Sequence, residues 1–97
     1  MKVVQTELFT TWHRRLRDRR AAVKIDQRIK RLGEGNYGDA RSVGDGVAEL
    51  RIDYGPGYRI YFGRWGDAVV ILLCGGDKSM QEKDIVRAKH AFDELKE

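Results

Sequence analysis

A chain of 97 residues with 19 Lys and Arg against 15 Asp and Glu, net charge +4 and 41% hydrophobic content has the makings of one small basic domain. At this length roughly 60 to 65% of the extended surface is buried on folding, so a second domain is excluded and residues 1–97 are read as one unit. One cysteine and two histidines leave no intramolecular disulfide and no metal-ligand cluster, and no cofactor is expected; without a signal peptide or an apolar run of ~18 residues the chain reads as cytoplasmic, with no membrane partner.

Residues 2–5 read as a short strand. Thr6 is placed to cap a helix whose apolar stripe is Leu8, Phe9, Trp12 and Leu16. Asp18 caps a second helix with the stripe Ala22, Ile25, Ile29 and Leu32, and Gly33 is expected to supply its left-handed stop. The two helices form a hairpin. Charge concentrates here: residues 1–33 hold ten Lys or Arg and three acids, a surplus of +7, which leaves −3 for residues 34–97. Arg14, Arg15, Arg17, Arg19 and Arg20 are the candidate RNA- or phosphate-binding cluster, because clustered cations attract polyanions by steering and counterion release.

Residues 33–46, "GEGNYGDARSVGDG", are rich in Gly, Asn and Asp and read as a loop. Then comes "ELRIDYGPGYRIYF", residues 49–62, a β-hairpin. Alternation places Ala48, Leu50, Ile52, Tyr58, Ile60 and Phe62 on the core face and Glu49, Arg51, Asp53, Arg59 and Tyr61 outside. Only an odd loop aligns the two apolar faces: three residues would set Arg51 opposite Arg59, and five would pair Asp53 with Arg59. In both registers Arg51, Arg59 and Tyr61 share one face. Guanidinium forks suit phosphate oxygens, and a phenol adds a hydrogen bond or a proton.

Residues 68–74 are apolar throughout, as in a strand covered on both sides and central in its sheet. After it, Ser79 and Glu82 have capping-box spacing and start a final helix with Ile85, Ala88, Phe92 and Leu95 inward. Gly75 and Gly76 leave the backbone unobstructed ahead of that helix, an arrangement favourable to anions, with Lys78 and Lys83 adding charge. The expected fold class is α+β, in the order β-α-α-β-β-β-α, an antiparallel sheet packed by an N-terminal helical hairpin and a C-terminal helix.

Two segments, "GDGVAELRIDYGPGYRIYF" and "VVILLCGGDKSMQEKDI", are similar to the HigB-like branch of the RelE/ParE superfamily, the addiction-module killer proteins of type II toxin-antitoxin systems. The resemblance covers nearly the whole chain. It implies a RelE-like fold and a metal-independent endoribonuclease that cuts messenger RNA on the ribosome, arresting translation and growth. In such chemistry the 2′-hydroxyl attacks the adjacent phosphate, which needs a base, cations for the developing charge and an acid for the leaving oxygen. Arg51 and Arg59 then stabilise charge, and Tyr61, Lys78 and Lys83 are candidates for phosphate clamping or proton transfer. The base stays unassigned, since no histidine falls in either matching segment. ParE relatives instead poison DNA gyrase, so a non-enzymatic toxin remains open, as does an inactive adaptor. The implied partner is an antitoxin, a helix-turn-helix protein from the adjacent gene, through which the complex reaches operator DNA.

Overall fold

A computed structural model describes residues 1–96. The first helices form where their caps dictate. Strand β1 (Lys2–Gln5) ends at Thr6, whose hydroxyl accepts from Phe9 N at 3.1 Å and donates to Leu73 O at 2.7 Å, so one side chain both starts α1 (Glu7–Arg14) and ties it to the sheet. Asp18 Oδ1 accepts from Arg20 N and Ala21 N and starts α2 (Arg19–Gly33). Ala21, not Ala22, takes the fully buried position in the first turn of α2. Gly33 is the last helical residue rather than the left-handed stop. A Cβ there would lie 3.1 Å from Val3 Cγ2, and the left-handed conformation falls two residues later, at Gly35 with φ 88°.

The stretch expected to be a loop contains a strand. Residues Ala40–Gly44 form β2, antiparallel to β3 (Val47–Ile52), and Asp45 and Gly46 make the two-residue connection with φ 56° and 78°. Positive φ at both central residues is the geometry that Asp-Gly favours in tight hairpins. Strand β4 (Tyr58–Trp65) pairs with β3, with Arg51 opposite Arg59, and the loop between Ile52 and Tyr58 holds the five residues 53–57. The observed pairing is thus the one expected of a three-residue loop, reached with a five-residue one. Asp53 lies in that loop instead of opposite Arg59.

Strand β5 (Val69–Asp77) completes a sheet ordered β1-β5-β4-β3-β2. β1 runs parallel to β5 while the other pairs are antiparallel, so the sheet is mixed rather than wholly antiparallel. β4 sits at its centre and β5 beside it. After β5, Asp77 Oδ1 accepts from Ser79 N at 2.9 Å and caps a 3-10 turn, Lys78–Met80, before α3 (Gln81–Lys96) begins; the capping residue is Asp77, not Ser79.

Both faces of the sheet are covered. On one, Leu50, Ile52, Ile60, Phe62, Val70 and Leu72 pack with Phe9, Ile25 and Leu32 of the helical hairpin. On the other, Val47, Tyr61, Ile71, Leu73 and Cys74 pack with Ala88 and Phe92 of α3. α1 straddles the two layers, with Phe9 in the first core and Leu8 against the second. Gly63 is obligatory beneath α3, since a Cβ there would stand 2.6 Å from Phe92 Cε1. Leu95 is 39% exposed, so the inward stripe of α3 stops at Phe92. Among the described residues, no helix is long and apolar enough to cross a membrane.

Candidate functional site

Cross-strand register assembles the site in two rows on the α3 side of the sheet. One row runs Arg41, Glu49, Tyr61, Cys74 from β2 to β5. The next runs Arg51, Arg59, Gly76, with Arg51 N bonded to Asp39 O at 2.9 Å on the outer side. Directly opposed like charges are unfavourable. Each arginine of the Arg51–Arg59 pair accordingly has an acid near it, Asp39 on the outer side of Arg51 and Glu49, diagonally across on β3, for Arg59.

Arg51 is open to solvent and donates to Asp39 Oδ1 at 2.9 Å. That hydrogen bond holds the Asp39 carboxyl below its ordinary range and raises the Arg51 guanidinium. Arg59 differs, being only 8% exposed. Its nearest carboxylate oxygen, Glu49 Oε2, is 3.8 Å from Nε, and Nε is buried without a hydrogen-bond partner. Glu49 has none of this shortfall. Fully buried, it accepts from Arg41 Nε at 3.1 Å on Oε1, and from Tyr61 OH at 3.2 Å and Gln81 Nε2 at 2.9 Å on Oε2. Its charge is therefore shared among several donors, and Arg59 receives the weakest share.

The face expected to be open is thus largely closed by α3, because the N-terminal end of that helix is apposed to it through Gln81. Glu49 and Tyr61 are fully buried and Arg59 nearly so; Arg51 alone of the three expected site residues faces solvent freely. Burial first, and the adjacent Glu49 carboxylate second, push the Tyr61 phenol far above its ordinary range. Tyr61 donates its proton to a fixed acceptor, which makes it a strut and a poor proton carrier.

Gly75 and Gly76 are not an open cradle. They lie within β5, and their missing side chains are replaced by the Trp12 ring on one face and Asp84 Oδ2 on the other. Asp84 is buried, bonded through Oδ1 to Arg87 Nη1 at 3.2 Å and unpartnered at Oδ2, and burial raises its carboxyl above the usual range. Lys78 and Lys83 are exposed and line a shallow recess of about 390 Å³ on the turn and first helical residues. Lys78 lies at the hairpin end of the sheet: a Cβ on Gly57 would be 3.4 Å from its own. Arg14, Arg15, Arg17, Arg19 and Arg20 are all exposed around the α1–α2 junction. Arg19 and Arg20 line a recess of about 600 Å³ with Lys24 and Tyr54 on the helical-hairpin side, so the sheet separates them from Arg59. Arg15 reaches a seam shared with Arg87 of α3.

The sequence alone does not disclose Arg41, because the composition of residues 33–46 reads as a loop, or Glu49, because an acid between arginines on an alternating strand reads as solvated. Its place opposite Tyr61 in the register was the available signal. Both histidines are engaged elsewhere, His13 with Asp26 and His90 with Glu94, each at 2.7 Å. Among the described residues no three His, Cys, Asp or Glu side chains group as metal ligands. The arrangement presents permanent cations on adjacent strands, groups whose chemistry suits an oxyanion.

No protein-family model matches the chain. It is 52% identical over 95 residues to an uncharacterized protein of Haemophilus influenzae (strain Rd), spanning 98% of this chain and 96% of that protein. The chain belongs to that protein's family. Identity at this level over nearly the full length of both carries the same fold to the relative, and its description assigns no activity.

Proposed function

We propose that this protein is a RelE/ParE-like toxin of the HigB-like branch, acting as a metal-independent endoribonuclease on messenger RNA at the ribosome. The observation that carries the reading is the Arg51–Arg59 pair, opposed across β3 and β4, with the one acid near Arg59, Glu49, already bonded to three other donors. A phosphate oxygen is the acceptor such a pair calls for, and it relieves the repulsion between the two cations. The resemblance of both matching segments supports the same conclusion. In this reading Arg51 and Arg59 stabilise charge on the scissile phosphate, and exposed Lys78 and Lys83 are the candidates left for phosphate clamping or proton transfer, since Tyr61 is locked to Glu49. An antitoxin encoded by the neighbouring gene neutralises the protein.

The test is 5′-end mapping of cellular transcripts after brief induction, comparing the parent with the folded Arg51→Ala/Arg59→Ala variant. In-frame cuts that disappear in the variant, together with growth arrest, support the nuclease. Undiminished toxicity in the variant overturns it. The buried state of Tyr61 favours one alternative, a toxin that binds DNA gyrase without chemistry, for which intact transcripts and damaged DNA are expected.

A further inference from the structure

Three strands, not two, contribute arginines to the α3 face, and one carboxylate organises two of them. Glu49 is fully buried, and its two oxygens face opposite neighbours: Oε1 takes Arg41 Nε at 3.1 Å from β2, and Oε2 faces Arg59 Nε at 3.8 Å on β4. A guanidinium held through Nε shares that edge with one terminal nitrogen and directs the donors of its far edge away from the anchor. The Arg41 side chain is 57% exposed, so that outer edge can meet a ligand. Tyr61 and Gln81 fix Glu49 from β4 and α3, which leaves the anchor little rotational freedom. Arg51 stands in the neighbouring row between the two strands that carry Arg41 and Arg59. With strands ~4.8 Å apart and the two rows two residues apart along the strands, Arg41 and Arg59 emerge ~12 Å from one another, wider than a single phosphate needs.

We propose that Arg41 is a further phosphodiester-binding residue and Glu49 its positioning residue, so that Arg41 engages a phosphate neighbouring the one held by Arg51 and Arg59 on the same RNA strand. The proposal rests on the nucleic-acid reading above and extends it from one phosphate to a strand. Glu49 has a counter-intuitive part: a negative charge inside an anion site improves binding by fixing the cations around it.

The probe is a 2′-O-methyl oligouridylate, which lacks the attacking hydroxyl and so reports binding alone. Its affinity is measured over a salt series for the parent, Arg41→Ala, Arg41→Lys, Glu49→Gln, Arg51→Ala/Arg59→Ala and, as an off-site control, Arg31→Ala on α2. Loss of one phosphate contact on a single strand lowers the slope of log K against log salt by about 0.7. Arg41→Ala is expected to show that drop and Arg31→Ala none. Arg41→Lys keeps the charge but loses both the Nε anchor and the fork, and is expected to bind severalfold more weakly than the parent.

Glu49→Gln decides the positioning role. Removing a negative charge strengthens binding if Glu49 is only a nearby acid, and weakens it severalfold if Glu49 orients Arg41 and Arg59. Stronger binding overturns that role, and Arg41→Lys tests it independently should Glu49→Gln fail to fold. A parent slope that Arg41→Ala leaves unchanged, while Arg51→Ala/Arg59→Ala abolishes binding, overturns the proposal and leaves the nucleic-acid reading standing. No binding by the parent overturns both.

Discussion

Arg51 and Arg59 face each other directly across β3 and β4, yet they differ in burial and in compensation: Arg51 is exposed and bonded to Asp39 at 2.9 Å, whereas Arg59 is buried with Nε unmatched. Under the proposed function, an incoming anion meets an open arm and a buried one. Only the open arm must first release an acid.

That release predicts the effect of Asp39→Asn. The Asp39–Arg51 pair is exposed, so its worth is small, and freeing Arg51 is expected to tighten oligonucleotide binding by up to about fivefold. Stability should hardly change. Titration of the variant at two salt concentrations checks this, the gain shrinking as salt rises.

Tyr61→Phe separates structure from chemistry. Losing the 3.2 Å hydrogen bond leaves Glu49 with one donor fewer and should cost about 1 kcal/mol in urea denaturation, while under the proposed function RNA cleavage persists, because the Tyr61 proton is committed to Glu49. A variant that folds normally and loses cleavage outright would return Tyr61 to the catalytic set.

Alkaline pH exposes the same group. Tyr61 and Cys74 both have folded pKa values raised above their unfolded values of about 10 and 9, Cys74 to about 12 through burial. Groups of this sign stabilise the fold fully below the unfolded pKa and lose that contribution as pH rises through the folded one. Stability should therefore fall progressively above about pH 9, and the fall should be shallower in Tyr61→Phe and in Cys74→Ala. The buried thiol should also resist alkylation at neutral pH until the chain is unfolded.

Asp84 follows the same sign rule at the acid end. Burial raises its carboxyl above its ordinary value of about 3.8, so its contribution is complete below that value and declines as pH rises through the folded pKa. Asp84→Asn should accordingly raise the melting temperature at neutral pH, and the difference should vanish toward pH 4. Melting curves across that range give the answer.

Gly76→Ala probes the contact above it. A Cβ would strike Asp84 Oδ2, and overpacking of this kind costs about 1 to 3 kcal/mol. Combining it with Asp84→Ala should recover part of the loss, a coupling that a double-mutant cycle measures.

The hairpin was the legible part of the chain. Leu50, Ile52, Ile60 and Phe62 alternate strictly, and their face follows from that period alone; the register does not, since the five-residue loop gives the Arg51–Arg59 pairing expected of a three-residue one. The opposite face misled because Glu49, Arg59 and Tyr61 are residue types that usually meet water, and a single strand cannot disclose a helix arriving from residue 81 onward. β2 was hidden for a related reason. It is an edge strand with only Val43 as a large apolar residue, flanked by glycines, and the informative pair was Asp45–Gly46, whose backbone preference outweighs composition. Gly75 and Gly76 suggested freedom for a ligand, but the need they meet is internal: room for Trp12 and for Asp84. Thr6 and Asp18 were readable because a cap acts within three residues and no distant partner alters it.

β1 pairs in parallel with Val69–Leu72, joining the first residues to a strand near the other end of the chain. On a nascent polypeptide that strand has no partner until more than two thirds of the sequence has emerged. Loop closure of this length slows folding, and the waiting segment holds Val3 and Val4 unpaired meanwhile. The sheet therefore closes late, and chains truncated before residue 69 should be recognised by proteases as unfinished rather than accumulate as partial domains.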